Sequence, residues 1–322
     1  MLLLTALTRL CAIAHAAPQQ TLGNLDFPDP SITFDPQTSQ WYAFATQGNG
    51  KLVQAATAPS AHGPWEYLRD TDPLPRPGGW VNQTHPGVWA PDVQYLDGAG
   101  SFVLYYSARL RGSPYHCVGV ATAPNATGPY APRDEPWVCP VREGGAIDAS
   151  GFRDDADGSR WVVYKVDGSA KGPGGPCGNG DPPGEPTPFR LQRVDERDGI
   201  TPVDGGPVEI LDRIPEVDGP LIEAPSIVKG PGTEGRFVLF YSSHCFNVPG
   251  YDVRYATAER INGPYERKGQ LIGTGDFGYE APGGATGVAG GGAMVFHANC
   301  PAGRCMYETE YIMEGGEITI PA

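Results

Sequence analysis

The sequence predicts an all-β fold, a five-bladed β-propeller, and three observations lead there. The first is a close repeat: ATAPSAHGPWE at 56–66, ATAPNATGPYA at 121–131 and ATAERINGPYE at 256–266, with starts 65 and then 135 residues apart, one period and then two. The second is an apolar strand motif that recurs as WYAFAT, FVLYYS, WVVYKV, FVLFYS and AMVFHA, ending at Thr46, Ser107, Val166, Ser242 and Ala298. The third is punctuation: 45 Gly and 34 Pro among 322 residues cut the chain into short runs, and no long 3.6-residue periodicity competes with them. Copies of an all-strand unit, about 60 residues each, satisfy their sheet edges best when packed radially as blades. A β-sandwich with chance similarity is the alternative, and the threefold repeat argues against it.

Residues 1–17 are apolar and end in the small-x-small pattern Ala14-His15-Ala16, which reads as a secretory signal cut near Ala16 or Ala17. A membrane anchor is the alternative; the run is short for one and is broken by Arg9. Residues 18–322 are then expected to form one propeller domain. Removing Cys11 with the leader leaves Cys117, Cys139, Cys177, Cys245, Cys300 and Cys305, an even set suited to an oxidising compartment. Six cysteines allow many pairings, of which Cys117–Cys139, Cys177–Cys245 and Cys300–Cys305 are favoured. Their spacings match no zinc pattern. Sequons at Asn82 and Asn125 fit an exported glycoprotein. The formal net charge of -14 disfavours a nucleic acid or an anionic membrane as partner and leaves a neutral substrate open. A monomer is expected.

Each blade should open on its innermost strand. The stretches ahead of the first four strand motifs are FPDPSI with Asp29, WAPDVQY with Asp92, AIDASGF with Asp148 and IEAPSIV with Glu223. Asp alone is a common turn former. Four blades carrying an acid at nearly the same place is a different matter, because innermost strands line the axis and their equivalent positions converge. Asp29-Pro-Ser and Asp148-Ala-Ser align directly, and Glu223-Ala-Pro-Ser aligns with one residue added; blade two has Ala90 at that level and Asp92 two residues on. Asp29, Asp148 and Glu223 are therefore the expected inner triad, with Asp92 a supporting acid assigned to substrate binding, a structural hydrogen-bond acceptor being the alternative. Converging carboxylates raise one another's pKa and mark functional sites.

Such a set suits glycosidic hydrolysis: a protonated acid at the leaving oxygen and an ionised carboxylate that activates water across the ring, with a third acid tuning the donor. Phe27, Trp89 and Phe152 could offer sugar-facing surface, Phe152 being better suited to the core. The Gly/Pro-rich insertion 167–189 reads as a blade loop over one face, and RDDADG (153–158) as a hairpin turn, since it lacks the closing Glu of a calcium loop. No nucleophile elbow, phosphate loop or His-Glu-x-x-His motif is present.

The motifs FPDPSI (27–32), GVWAPDVQY (87–95), IDASGF (147–152), IEAPSIV (222–228) and ATAERINGPYE (256–266) together resemble glycoside hydrolase family 43, the arabinanases, α-L-arabinofuranosidases and β-xylosidases built on five-bladed propellers. The resemblance implies Asp29 as general base, Asp148 as the acid that tunes and positions the donor, and Glu223 as general acid in a single-displacement, inverting mechanism. It implies an arabinose- or xylose-containing polysaccharide or oligosaccharide as substrate and no required cofactor. Many members hold a metal ion or water cluster on the axis through a histidine in blade five; this chain has Gly284 there, which puts a structural calcium in question and leaves His244 or His297 as partial replacements. Because the chain ends with its propeller, without an added β-sandwich, α-L-arabinofuranosyl bonds are preferred over β-xylosyl ones. A β-xylosidase, another furanosidase or a non-catalytic carbohydrate-binding propeller are the alternatives. Exo or endo action is left to the loops 76–86 and 167–189.

Overall fold

A computed structural model describes residues 18–180, 184–203, 205–231 and 235–321; the expected leader lies outside them. The described chain is almost entirely strand and turn, with five antiparallel sheets. Blade one holds Ser31–Asp35, Gln40–Ala45, Gln54–Ala58 and Glu66–Tyr67. Blade two holds Trp89–Leu96, Ser101–Arg109, His116–Ala123 and Ala131–Pro132. Blade three holds Ala146–Arg153, Arg160–Val166, Phe189–Val194 and Val208–Leu211. Blade four holds Ile222–Lys229, Phe237–Ser243, Asp252–Ala258 and Glu266–Ile272. Blade five holds Gly283–Gly287, Gly292–Cys300 and Gly303–Glu314.

The ring is closed by the start of the chain. Gln19–Gln20 pairs with Gly303–Glu314, placing Gln19 opposite Glu308. Phe27 N–H then donates to the Arg304 carbonyl at 2.8 Å, stitching the entry of blade one to blade five. The three ATA repeats are one structural unit used three times, the third strand of a blade followed by the turn into its fourth; each turn contains a cis Gly-Pro bond, at 63–64, 128–129 and 263–264.

Five apolar clusters hold the ring together, one at each junction between blades. Phe44, Val88 and Tyr106 join blades one and two; Tyr105, Val118 and Tyr164 join two and three; Phe152, Leu191 and Leu239 join three and four; Phe240, Tyr255 and Phe296 join four and five. The last junction packs Phe27, Ile32, Val295 and Met306 between blades five and one. Strands that bury both faces against neighbouring blades explain why the motifs read as continuous apolar runs rather than strict alternation. Each fully buried large side chain contributes about 1.5–3 kcal/mol.

Phe27 belongs to this core, which corrects the expectation that it faces a sugar. It has no exposed surface and meets Tyr67 edge-on at 6.3 Å. Phe152 is core as expected, edge-on to Phe237 at 5.9 Å. All three favoured disulfides form. The 153–158 segment is the turn joining the first two strands of blade three.

Candidate active site

Each blade has one residue in the left-handed region at its first strand, just ahead of it in blade one and within it in the others: Asp29 (φ 54°), Ala90 (40°), Asp148 (57°), Ala224 (52°) and Gly284 (62°). These five and the two residues after each line a narrow axial channel. In blades two to five the ladder changes register there, so each is a bulge that redirects the strand. Four of the five are not glycine and pay a conformational cost of roughly 1–2 kcal/mol each, so the frame must hold them.

Most of that holding comes from the preceding blade. Ala90 N–H donates to Thr46 Oγ1 (2.8 Å), Asp148 N–H to Ser107 Oγ (2.9 Å), Gly284 N–H to Ser242 Oγ (2.9 Å) and Asp29 N–H to His297 Nδ1 (3.0 Å). Thr46, Ser107, Ser242 and His297 occupy the same place, near the end of a second strand, and Lys165 is their counterpart in blade three, opposite Ile147. Ala224 N–H instead donates to Asp148 Oδ2 at 2.9 Å.

This frame refines the expected alignment. Asp29 and Asp148 are equivalent left-handed residues, Asp148 on the bulge of blade three and Asp29 just ahead of the first strand of blade one. Glu223 is one residue earlier, level with Trp89 and Ile147, because Ala224 takes the bulge in blade four. All three acids nevertheless line one pocket of about 360 Å³, at the small end of the roughly 300–1,000 Å³ typical of ligand sites. Trp89 lines it too, with its ring stacked on the buried His116 at 3.6 Å. Asp92 does not. It is buried on the axial channel, where its carboxylate accepts from Gln94 Nε2 (2.8 Å), Ser150 Oγ (3.1 Å) and Gly151 N–H (3.2 Å). Its two-residue offset from the bulge carries it along the axis away from the pocket, so the substrate-binding assignment is replaced by a structural one.

The three pocket acids have different surroundings. Burial pushes the Asp29 carboxyl up, but Arg304 (Nη1 to Oδ1, 3.0 Å) and Thr46 Oγ1 (2.7 Å) outweigh it and hold Asp29 below the usual carboxylate range. His297 stands 3.4 Å away without forming an ion pair: burial and Arg304 push its pKa down to about 3, so the ring is neutral. Asp148 is pushed up to about 7 by burial and by Glu223, against Lys165 and the Ala224 N–H. Glu223 is also raised, by burial and then Asp29 and Asp167, against Lys165. The Lys165 ammonium is buried among Asp167 Oδ1 (3.1 Å), Ser169 Oγ (3.3 Å) and Glu223 Oε2 (3.3 Å), and those acids keep it charged despite burial.

Sequence reasoning missed Lys165, Arg304, Tyr251 and Phe246, all of which line the pocket. The insertion contributes Ser169, Ala170 and Cys177, the last tied by its disulfide to Cys245 beside Phe246. Arg304 also lies over the Phe246 ring at 5.0 Å. His244 is a loop residue whose Nδ1 pairs with Ser243 Oγ.

An axial calcium does not fit these residues. Gly284 has no side chain, and a Cβ there would stand 2.9 Å from His297 Nδ1. His297 Nδ1 spends its lone pair on Asp29 N–H, so in the neutral ring the proton sits on Nε2, leaving no lone pair for a metal. Among the described residues no three His, Cys, Asp or Glu side chains are grouped to hold one.

The sequence profile described as "Glycosyl hydrolases family 43" matches residues 21–315. Over 100 residues the chain is 33% identical to an arabinan endo-1,5-alpha-L-arabinosidase C of Emericella nidulans, covering 30% of this chain and 29% of that protein. Over 296 residues it is 25% identical to an extracellular endo-alpha-(1->5)-L-arabinanase of Thermotoga petrophila, covering 82% of this chain and 56% of the other. The matched segments thus span about a third of the fungal relatives and just over half of the bacterial one. Among solved structures, a thermostable family-43 glycoside hydrolase superposes with a TM-score of 0.75 at 20% identity, covering 95% of this chain and 96% of the other. A Bacillus subtilis arabinanase superposes with a TM-score of 0.67 at 21% identity, covering 94% and 100%. Likeness at that identity speaks for the fold; the sequence match over residues 21–315 makes this chain a member of glycosyl hydrolase family 43.

Proposed function

We propose that the protein is a secreted, inverting hydrolase of α-L-arabinofuranosyl linkages in arabinan or arabinoxylan, with Asp29 as general base, Glu223 as general acid and Asp148 as the group that keeps Glu223 protonated. One observation carries the reading: a single pocket holds one carboxyl kept below the usual range by Arg304 and Thr46 and two that are raised, Asp148 by burial and Glu223, and Glu223 by burial, Asp29 and Asp167. Acid and base work at one pH requires that separation.

In this reading the arabinofuranosyl unit whose anomeric bond is cut packs against Trp89. Asp29, ionised, draws a proton from a water that attacks the anomeric carbon. Glu223 passes its proton to the departing glycosidic oxygen, and the anomeric configuration inverts. Arg304 and Thr46 keep the Asp29 oxygens aimed and charged. No metal takes part in a step. The preference for arabinofuranosyl bonds is supported by the activities for which the sequence relatives in both fungi and bacteria are named. Secretion is supported by three disulfides and by the bacterial relative being named extracellular.

The test is product analysis on linear arabinan, arabinoxylan and aryl α-L-arabinofuranoside or β-xyloside, with the first-formed anomer read by proton NMR. Arabinose or arabino-oligosaccharides with inverted configuration at the newly formed reducing end are the expected result. Xylose alone, or retained configuration, overturns the corresponding part. Turnover lost in Glu223→Gln excludes a carbohydrate-binding propeller without catalysis.

A further inference from the structure

Four blades end their second strand on a side chain that accepts the next blade's bulge N–H: Thr46, Ser107, Ser242 and His297. Blade three puts Lys165 at that place, and a lysine ammonium has no lone pair to accept with. The duty passes to Asp148, whose Oδ2 accepts from Ala224 N–H, and the ammonium is left free to turn into the pocket. There it meets Glu223 Oε2 at 3.3 Å, with its other contacts to Asp167 and Ser169, the first residues of the insertion. The insertion is itself anchored: Asp167 N–H donates to the Gly145 carbonyl (2.9 Å), and buried Asn179 donates to the Pro220 carbonyl (2.7 Å), three residues before Glu223. The ammonium keeps 1% of its side-chain surface exposed and Glu223 keeps 13%, so the carboxyl faces substrate while the lysine stands behind it.

Building on the hydrolase reading, we propose that Lys165 is a positioning residue for Glu223: it fixes the carboxyl's orientation and stabilises the carboxylate that forms as the proton passes to the leaving oxygen. The break in the fivefold pattern is what allows this, since an acceptor at 165 would hold the Ala224 N–H and leave the charge on Glu223 without a cation beside it. The step balances simply: the O–H bond of Glu223 breaks, an O–H bond to the departing alcohol forms, and the negative charge left on Glu223 lies against a permanent positive one. The charged or titratable groups that bear on Glu223 are Lys165, Asp29, Asp167, Asp148, Tyr251 and Arg304. Among the described residues, Lys165 is the cation that touches it.

The experiment compares Lys165→Met and Lys165→Gln with wild type. Removing a cation raises the pKa of the acid it touched, so the alkaline limb of kcat/KM is expected to move to higher pH by about 1–3 units. Loss of kcat is expected to be on the order of 10–100-fold with poor leaving groups, within the range general-acid assistance supplies, and small with an activated aryl leaving group. Equal losses on both substrates with an unmoved alkaline limb overturn the proposal. A readout independent of turnover accompanies it: in the wild-type protein the Lys165 Nζ resonance, followed by nitrogen-15 NMR, should move with the titration of Glu223 and lose that step in Glu223→Gln. A Lys165 signal indifferent to Glu223 overturns the proposal even if neither variant folds. A wild type that hydrolyses nothing while the resonances remain coupled faults the hydrolase reading and not the pairing.

Discussion

Asp29 and Glu223 lie in the same pocket and are treated oppositely by the blades around them. Asp29 is a left-handed residue just ahead of the first strand of blade one, and its partners are a guanidinium and a hydroxyl from blades five and one, so charge is stabilised where water would be activated. Glu223 sits one residue before the bulge of blade four, next to a second raised carboxyl, and the cation at its back is shared with Asp167. From the same position on the second strand of the preceding blade, Asp29 meets the neutral His297 and Glu223 the charged Lys165. A symmetric scaffold thus builds an asymmetric pair by varying one equivalent position, and the guanidinium of Arg304, from the third strand of blade five, completes the contrast at Asp29.

The largest expected effect removes the two acids in turn. Glu223→Gln should lower kcat by about 10²–10⁴-fold on natural linkages and be partly spared on aryl substrates whose leaving group needs no proton. Asp29→Asn should lose at least as much and be spared on neither, because water must be activated whatever departs. Steady-state kinetics on one substrate of each kind checks this. Equal sparing of both variants would erase the distinction between the two sites.

Next is the pH profile. Asp29 must be ionised and the Asp148–Glu223 pair must hold a proton, which gives a bell. The acid limb is expected below the ordinary aspartate value of about 3.9, and activity should fall above about pH 7, where Asp148 is placed. Arg304→Met should raise the acid limb by about 1–3 units, so that the loss is greatest in mildly acidic buffer. The sign carries over to stability. Asp29, with its folded pKa depressed, stabilises the fold above the unfolded value, and that contribution is lost as pH falls through the folded value. Arg304→Met should therefore flatten the low-pH side of the melting curve, which thermal melts from pH 2.5 to 6 would show.

What the sequence made legible follows from what repeats in it. The ATA turns and the strand motifs recur because each blade needs the same local geometry, so blade number and the level of Asp29 and Asp148 could be read from spacing alone. The offset of Glu223 could be seen only as one extra residue, since φ at Ala224 leaves no mark in composition. Lys165 and Arg304 lay at the ends of second strands or beyond, and their contacts join residues 58 and 275 positions apart. Phe27 reads wrongly because lying two residues from Asp29 does not fix which way its side chain points; it turns into the junction of blades one and five. A signal for Lys165 was present: WVVYKV carries a lysine one place before the end at which WYAFAT, FVLYYS and FVLFYS keep small hydroxyls.

The smallest expected effect on activity is at Asp92, and it sharpens the contrast because Asp92 is also an inner-strand acid. Burial raises its pKa to about 6, against hydrogen bonds from Gln94, Gly151 and Ser150. With the folded value above the unfolded one, ionisation opposes folding: the unfolded chain releases the proton first, and stability falls as pH rises between the two values. Asn in its place can keep accepting from Gln94 and Gly151, and its amide can donate to Ser150 in exchange. Asp92→Asn should therefore leave kcat within about twofold of wild type while stabilising the fold at pH 8 by on the order of 1–3 kcal/mol, an advantage that disappears near pH 4. Denaturant melts at the two pH values measure it. A large loss of turnover would return Asp92 to the pocket; an advantage equal at both pH values would mean that packing, not charge, had changed.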